Sequence, residues 1–254
     1  MNIEPIPLLR DNYAWLITVD GSADCAVVDP SETEPVLELL KERGLTLHTI
    51  IATHHHWDHV NGIEGLWSHF ENVEVVCSSY DYDNGRVPKA SRFHRDGDEF
   101  QLFGETAKCM MVPGHTLGAM AFYFADANAV FTGDTLFTAG CGRLFEGTPE
   151  QMYHSLSALG KLPGDTLVYC GHEYTENNLN FALAVESDNA AVANRLEAVK
   201  TMRSQGKPTV PATIAVELES NPFMRADDKS LASLMGKESP VDVFAELRSR
   251  KDSF

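Results

Sequence analysis

"LHTIIATHHHWDH", residues 47–59, runs an apolar stretch into four histidines and an aspartate within seven positions. Residues 47–53 have the β-branched content of a buried strand, so this strand delivers the chain directly into the histidines. Imidazole nitrogen and carboxylate oxygen are the donors that zinc and related divalent ions take, generally four or more to an ion. His54 and His56 stand two apart, the wrong spacing for one face of a helix. On a loop leaving a strand, alternate side chains share a direction. His54 and His56 can therefore converge on one ion, with Asp58 and His59 turned toward a second. His55 points the other way and is read as a supporting or packing residue, and Trp57 as a packing anchor for the loop.

A local form recurs downstream: apolar strand, glycine, ligand. "MVPGHT" places His115, "VFTGDT" places Asp134 and "LVYCGHE" places His172 behind a glycine, which frees the backbone to turn tightly and aim the next side chain. Together with the first cluster these make seven candidate ligands, too many for one tetrahedral ion. The expected division is His54, His56 and His115 on one ion, Asp58, His59 and His172 on the other, and Asp134 bridging. His48, His69, His94 and His154 lack such context and are read as ordinary surface or partly buried residues.

Around these motifs the first two-thirds reads as short strands broken by Gly, Asp and Pro. "AWLITV" (14–19) and "CAVVDP" (25–30) look paired across a turn, and "SETEPVLELLKERG" (31–44) has a helix start signal at Ser31 or Thr33 and a glycine stop. "NGIEGLWSHF" (61–70) and residues 149–160 read as further helices. Several strands look hairpin-connected, which favours a mixed sheet or two sheets covered by helices over a purely parallel one. After about residue 173 the texture becomes Ala/Glu/Asn/Leu-rich with helical spacing, and a smaller helical domain without strands is expected.

Composition narrows the function classes. The 254 residues are 43% hydrophobic and 22% charged, ordinary for a globular protein. No apolar run reaches the roughly 20 residues that cross a bilayer, and the opening residues lack a secretory signal pattern, so the cytoplasm is the expected compartment. Twenty basic against 37 acidic residues give a net charge of −17, which disfavours nucleic acid and anionic membranes as partners. An anionic substrate would need a local basic pocket. Five cysteines without CxxC spacing fit reduced thiols, for which packing is the expected role.

The "THHHWDH … GHT … GDT … GHE" series resembles the metallo-β-lactamase superfamily. "DNYAWLI", "AGCGRLFEGT", "GHEYTENNLNFA", "NPFMR" and the terminal "RSRKDSF" are similar to the hydroxyacylglutathione hydrolase (glyoxalase II) family, so the likeness spans nearly the whole chain. It implies an α+β fold, the metallo-β-lactamase αββα sandwich in residues 1–173, with a smaller C-terminal helical domain, residues 174–254, that binds glutathione. It also implies hydrolysis of S-D-lactoylglutathione and related 2-hydroxyacyl thioesters to D-lactate or another hydroxy acid and glutathione, the second step of methylglyoxal detoxification. A divalent ion lowers the pKa of bound water to about 7, so a hydroxide shared by two ions is the expected nucleophile, with Asp58 and Asp134 as the catalytic carboxylates of the site. Zinc is the expected metal, with iron or manganese as alternatives, and a monomer acting on a small-molecule substrate is expected.

The family's glutathione-binding positions fall on Arg143, Tyr174, Arg248 and Lys251, where Arg can grip a carboxylate bidentately and Lys acts as a mobile charge. Arg143 stands where some members have Lys, and Phe145 where some have Tyr, which removes one possible hydrogen bond to glutathione. The rival readings are a β-lactamase, a lactonase or an RNA-processing phosphodiesterase of the same superfamily, and a metal-binding module without catalysis. A redox di-iron branch is disfavoured by His56, which stands where that branch usually has a carboxylate.

Overall fold

The computed structural model describes residues 1–254. The chain divides into two compact units, Met1–Met111 with Gly118–Gly133, and Val112–Leu117 with Asp134–Phe254.

In the first unit, six strands lie side by side in chain order: β1 (Asn2–Leu8), β2 (Asn12–Thr18), β3 (Asp24–Val28), β4 (Thr46–Ile51), β5 (Glu74–Ser78) and β6 (Arg92–His94). The first three pair antiparallel and β3 to β6 pair parallel. Parallel neighbours need crossovers, and helices supply them. These are α1 (Glu34–Arg43), α2 (Trp57–Val60) with α3 (Ile63–His69), and α4 (Ser79–Asp83). One core joins Val36, Leu37 and Leu40 of α1 and Ile63 and Leu66 of α3 to Val27, Ile50 and Val75 of the strands. Each such side chain stabilises the fold by roughly 1.5–3 kcal/mol when fully buried. Gly44 ends α1 in the left-handed conformation, at the stop the sequence marks. β1 is absent from the sequence expectations because Pro5 and Pro7 mask it; as an edge strand it tolerates both. Four further strands form an antiparallel array, β7 (Glu99–Leu102), β8 (Glu105–Met111), β9 (Met120–Phe124) and β10 (Ala129–Gly133).

The second unit opens with a small hairpin, β11 (Leu136–Phe137) and β12 (Gly140–Cys141). α5 (Pro149–Leu159) follows, started by a capping box between Thr148 and Gln151 with Pro149 at its first position. β13 (Leu167–Cys170) leads into α6 (Thr175–Val185) and α7 (Ala190–Ser204). Then come β14 (Ala212–Thr213), α8 (Ile214–Ser220), a 3-10 turn (Pro222–Arg225), α9 (Lys229–Met235) and α10 (Pro240–Asp252). The expectation of a C-terminal region without strands needs correction, because β14 pairs with β13 through Leu167–Thr213 and Val168–Ala212. Gly206, Pro208 and Pro211 end helix-forming sequence there, and the Thr-Val-Pro-Ala-Thr run is extended by preference.

The helices of this unit clamp the β11–β12 hairpin. Glu217 on α8 is fully buried; its Oε2 accepts from Ala139 N (2.7 Å) and Asn221 Nδ2 (3.0 Å), and its Oε1 pairs with Arg195 (2.6 Å). Asn221 also donates to the Gly140 carbonyl at 3.0 Å, and Asn178 to the Thr138 carbonyl at 3.1 Å. The turn before Arg143 thus has its polar backbone satisfied by side chains far along the chain. No helix is long and apolar enough to cross a membrane.

Candidate metal centre and its flanking cations

Beyond β4 the chain of the first unit turns through residues 52–56 and re-forms as α2, with His56 capping that helical turn. Loop and turn carry all four candidate ligands of this unit. His54 and His59 are each 1% exposed, with ring centroids 4.2 Å apart, and the His56 ring lies 4.8 Å from that of His54. Asp58 Oδ2 is 3.8 Å from His59 Nε2. Asn12 holds Asp58 by donating from Nδ2 to its carbonyl (2.9 Å) and, more loosely, to Oδ2 (3.3 Å). His59 Nδ1 lies 3.0 Å from Asp29 Oδ2, and His54 Nδ1 lies 3.1 Å from Thr53 Oγ1.

Asn12 and Asp29 were not singled out by sequence reasoning. The only signals were an aspartate closing an apolar strand before a proline, and an asparagine inside the family-like "DNYAWLI". His55 faces away from the cluster, its Nδ1 3.4 Å from Asp81 Oδ1. Trp57 is not a packing anchor: its side chain is 67% exposed. It occupies the first position of a four-residue helical turn whose buried face belongs to His59 and Val60.

The second unit holds the other three candidates. His115, Asp134 and His172 are all buried, and Asp134 Oδ2 stands 3.5 Å from His115 Nε2 and 3.3 Å from His172 Nε2. Those contacts are longer than the ~2.7–2.9 Å of a charge-assisted hydrogen bond. They match instead the spacing of neighbouring ligand atoms set about 2.0–2.2 Å from a shared tetrahedral ion. His115 Nδ1 donates to the Arg143 carbonyl at 2.8 Å, which leaves Nε2 as its ligand atom. Gly142 makes this approach possible, since a Cβ there would fall 2.0 Å from the Asp134 carbonyl oxygen. Tyr174 stacks on His172 with centroids 4.7 Å apart and planes 6° from parallel, and Phe145 meets His115 edge-on at 5.3 Å.

Three cations gather on the same unit. Arg143 is largely exposed and Lys251 half-buried, whereas Arg248 is only 5% exposed. Asp252 joins the two arginines, 3.0 Å from Arg248 Nη2 and 3.7 Å from Arg143 Nε. Arg248 Nη1 donates to the Cys141 carbonyl at 2.8 Å, and its guanidinium lies over the Phe223 ring at 5.2 Å. Arg248 is thus built into the protein, whereas Lys251 keeps part of its surface in solvent. Lys251 Nζ donates to Asn177, and burial, with Arg248 and Arg143 beside it, pulls its pKa down to about 8.

The five cysteines are buried and unbridged. Burial pushes the Cys141 thiol up to about 11, against the opposing pull of Arg248, and the Cys170 thiol up to about 12. Neither has the thiolate character of a nucleophile at neutral pH.

Residues 9–172 match the model of the metallo-beta-lactamase superfamily, and residues 173–254 match the model described as the hydroxyacylglutathione hydrolase C-terminus. A hydroxyacylglutathione hydrolase from a Synechococcus strain is 48% identical over 260 residues, covering 100% of both chains. The chain belongs to the hydroxyacylglutathione hydrolase family. Its fold is that of the metallo-β-lactamases, mixed strands and helices with a helical C-terminal region, and the protein is a metallohydrolase. Among solved structures, the B3 metallo-β-lactamase BLEG-1 aligns with a TM-score of 0.68 at 21% identity, covering 88% of this chain and 99% of its own. TTHA1623, solved in a di-iron-bound form, aligns with a TM-score of 0.62 at 24% identity, covering 87% and 99% respectively. Buried imidazoles and carboxylates in this number, in a hydroxyacylglutathione hydrolase chain, fit a binuclear metal site.

Proposed function

We propose that the protein hydrolyses S-D-lactoylglutathione and related S-2-hydroxyacylglutathione thioesters to the hydroxy acid and glutathione. His54, His56 and His115 would hold one divalent ion, Asp58, His59 and His172 the other, and Asp134 would serve both. Zinc is the metal proposed, since mixed imidazole and carboxylate donors suit it, as they also suit iron and manganese. When bound, such ions acidify water and offset charge developing on the thioester oxygen.

The chain's own groups supply the rest. Asp58, held by Asn12, would accept a hydrogen bond from the attacking water at its carboxylate. A thioester carbonyl is electrophilic and its thiolate a fair leaving group, so no acyl-enzyme is needed, in keeping with thiols held protonated. Arg143, Arg248 and Lys251 would take the carboxylates of glutathione, with the Tyr174 hydroxyl as a further polar contact and the exposed Phe145 ring as an apolar wall. The functional boundary falls near residue 173, with Tyr174, Arg248 and Lys251 on its C-terminal side. A cytoplasmic monomer is the setting proposed.

One observation carries this reading. In a chain of net charge −17, Arg143, Arg248 and Lys251 collect in one place, and the Arg143 backbone is bonded directly to the candidate ligand His115. Such a local cluster of cations suits an anionic substrate against the field of the whole chain. The test compares kcat/KM of zinc-loaded protein on S-D-lactoylglutathione, a lactone, a β-lactam and a phosphodiester. The thioester should lead by orders of magnitude; preference for any other, or metal uptake without thioester turnover, defeats the proposal.

A further inference from the structure

Resting on the glutathione reading just given, we propose that Asn221 is a positioning residue for substrate binding. Without touching substrate, it holds the β11–β12 hairpin, and through that hairpin it sets the places of Arg143 and Tyr174.

Asn221 belongs to "NPFMR", a stretch that contributes no metal ligand, and it is fully buried. Its side chain caps the 3-10 turn, where Oδ1 accepts from Phe223 N at 3.1 Å. Nδ2 is thereby turned to the hairpin, where it meets the carbonyls of Phe137 (3.3 Å) and Gly140 (3.0 Å). The same nitrogen lies 3.0 Å from Glu217 Oε2. A carboxylate paired with Arg195 can only accept, so a reversed amide would set oxygen against oxygen. Glu217 thus fixes which end of the amide faces the hairpin.

The hairpin needs that hold. Each of its strands has two residues, the ladder is the pairs Leu136–Cys141 and Phe137–Gly140, and Ala139 at the tip is left-handed with φ 59°. A two-stranded hairpin is marginal by itself even at full length. Asn221 spans both strands at their last pair, while Asn178 donates to the Thr138 carbonyl at 3.1 Å and Glu217 accepts from Ala139 N at 2.7 Å.

Both residues that Asn221 grips lead to a substrate group. The Phe137 ring meets Tyr174 edge-on, with centroids 5.3 Å apart and planes at 80°. Gly140 begins the run that ends at Arg143, pinned on the way by Arg248 at the Cys141 carbonyl and by His115 at the Arg143 carbonyl, each at 2.8 Å. The Arg143 side chain is 63% exposed, so its backbone rather than packing decides where the guanidinium starts from.

Steady-state kinetics of the metal-loaded protein on two thioesters test this. One is S-D-lactoylglutathione; the other is S-D-lactoyl-N-acetylcysteamine, whose thiol part has no carboxylate. Asn221→Ala should raise KM for the first about 10-fold, the size of one weakened hydrogen bond to a charged group. Its kcat and metal content should stay within about two-fold, the mark of lost binding rather than lost chemistry. For the second thioester, kcat/KM should keep its wild-type value. Gly140→Ala disturbs the hairpin independently, since its Cβ would stand 2.5 Å from Asn178 Nδ2 and one of the two must yield. It should show the same split, and it decides the matter where Asn221→Ala does not fold. Unchanged KM for the glutathione thioester in the folded variants would overturn the proposal. So would an equal loss on both thioesters, which marks a merely structural role. Arg143→Met separates the proposal from the reading beneath it. Unchanged KM there would defeat the glutathione role of Arg143 and this proposal with it. A KM raised in Arg143→Met but in neither hairpin variant would strike Asn221 and leave that reading standing.

Discussion

Replacing Arg248 with Met separates two roles that the terminal basic sequence leaves merged. The substitution keeps most of the aliphatic stem and removes the guanidinium. A hydrogen bond from a charged donor contributes about 1.5–3 kcal/mol, and one such bond reaches the Cys141 carbonyl in a site 5% exposed. The contact over Phe223 adds about 0.5–2 kcal/mol, while the pair with half-exposed Asp252 adds at most about 1 kcal/mol. Arg248→Met should therefore cost roughly 3 kcal/mol, which for a chain of this size lowers Tm by roughly 6–12 °C. The freed Cys141 carbonyl lies two residues from Arg143, so KM for the thioester should rise together with the loss of stability. Thermal unfolding of the metal-loaded protein and steady-state kinetics read the two effects. An unchanged Tm with a raised KM would show that Arg248 is a free substrate group rather than an anchor, and would refute the reasoning.

Lys251 gives a pH signature. With its pKa pulled down to about 8, it carries its charge below that pH and loses it above, so KM for S-D-lactoylglutathione should climb between pH 7 and 9. Lys251→Met should start from the higher KM and lack the climb; a flat wild-type profile would count against a carboxylate-binding role. Cys141→Ser and Cys170→Ser should keep kcat within a few-fold, since thiols held at about 11 and 12 are not nucleophiles at neutral pH. Loss of turnover in either, with metal content and fold retained, would revive a thiol mechanism.

The seven candidate ligands could be read from the chain because each sits in a local pattern: a strand running into HxHxDH, or a strand, a glycine and a ligand. The structure keeps all seven at the ends of strands or on short turns behind them. What could not be read lies where a role is conferred by distant partners. Nothing local to Asp29 shows that its carboxylate meets Thr53 and His59, 24 and 30 residues on. Charge density in "RSRKDSF" taken alone signals exposure, and only the likeness to the family gives its Arg248 and Lys251 a binding role. Arg248 is nonetheless buried, its guanidinium donating to a carbonyl 107 residues earlier. Trp57 shows the converse error, since an aromatic residue among ligands suggests an anchor, yet the helical turn spends its buried face on His59 and Val60. The strands β1 and β14 were missed because proline and a short length suppress the local signal while pairing supplies the order.

Metal analysis of purified protein, paired with its turnover of S-D-lactoylglutathione, tests the central claim most directly. Two divalent ions per chain should accompany full activity, and stripping them should abolish it in parallel. Full thioester hydrolysis by protein that holds one ion or none would contradict the account.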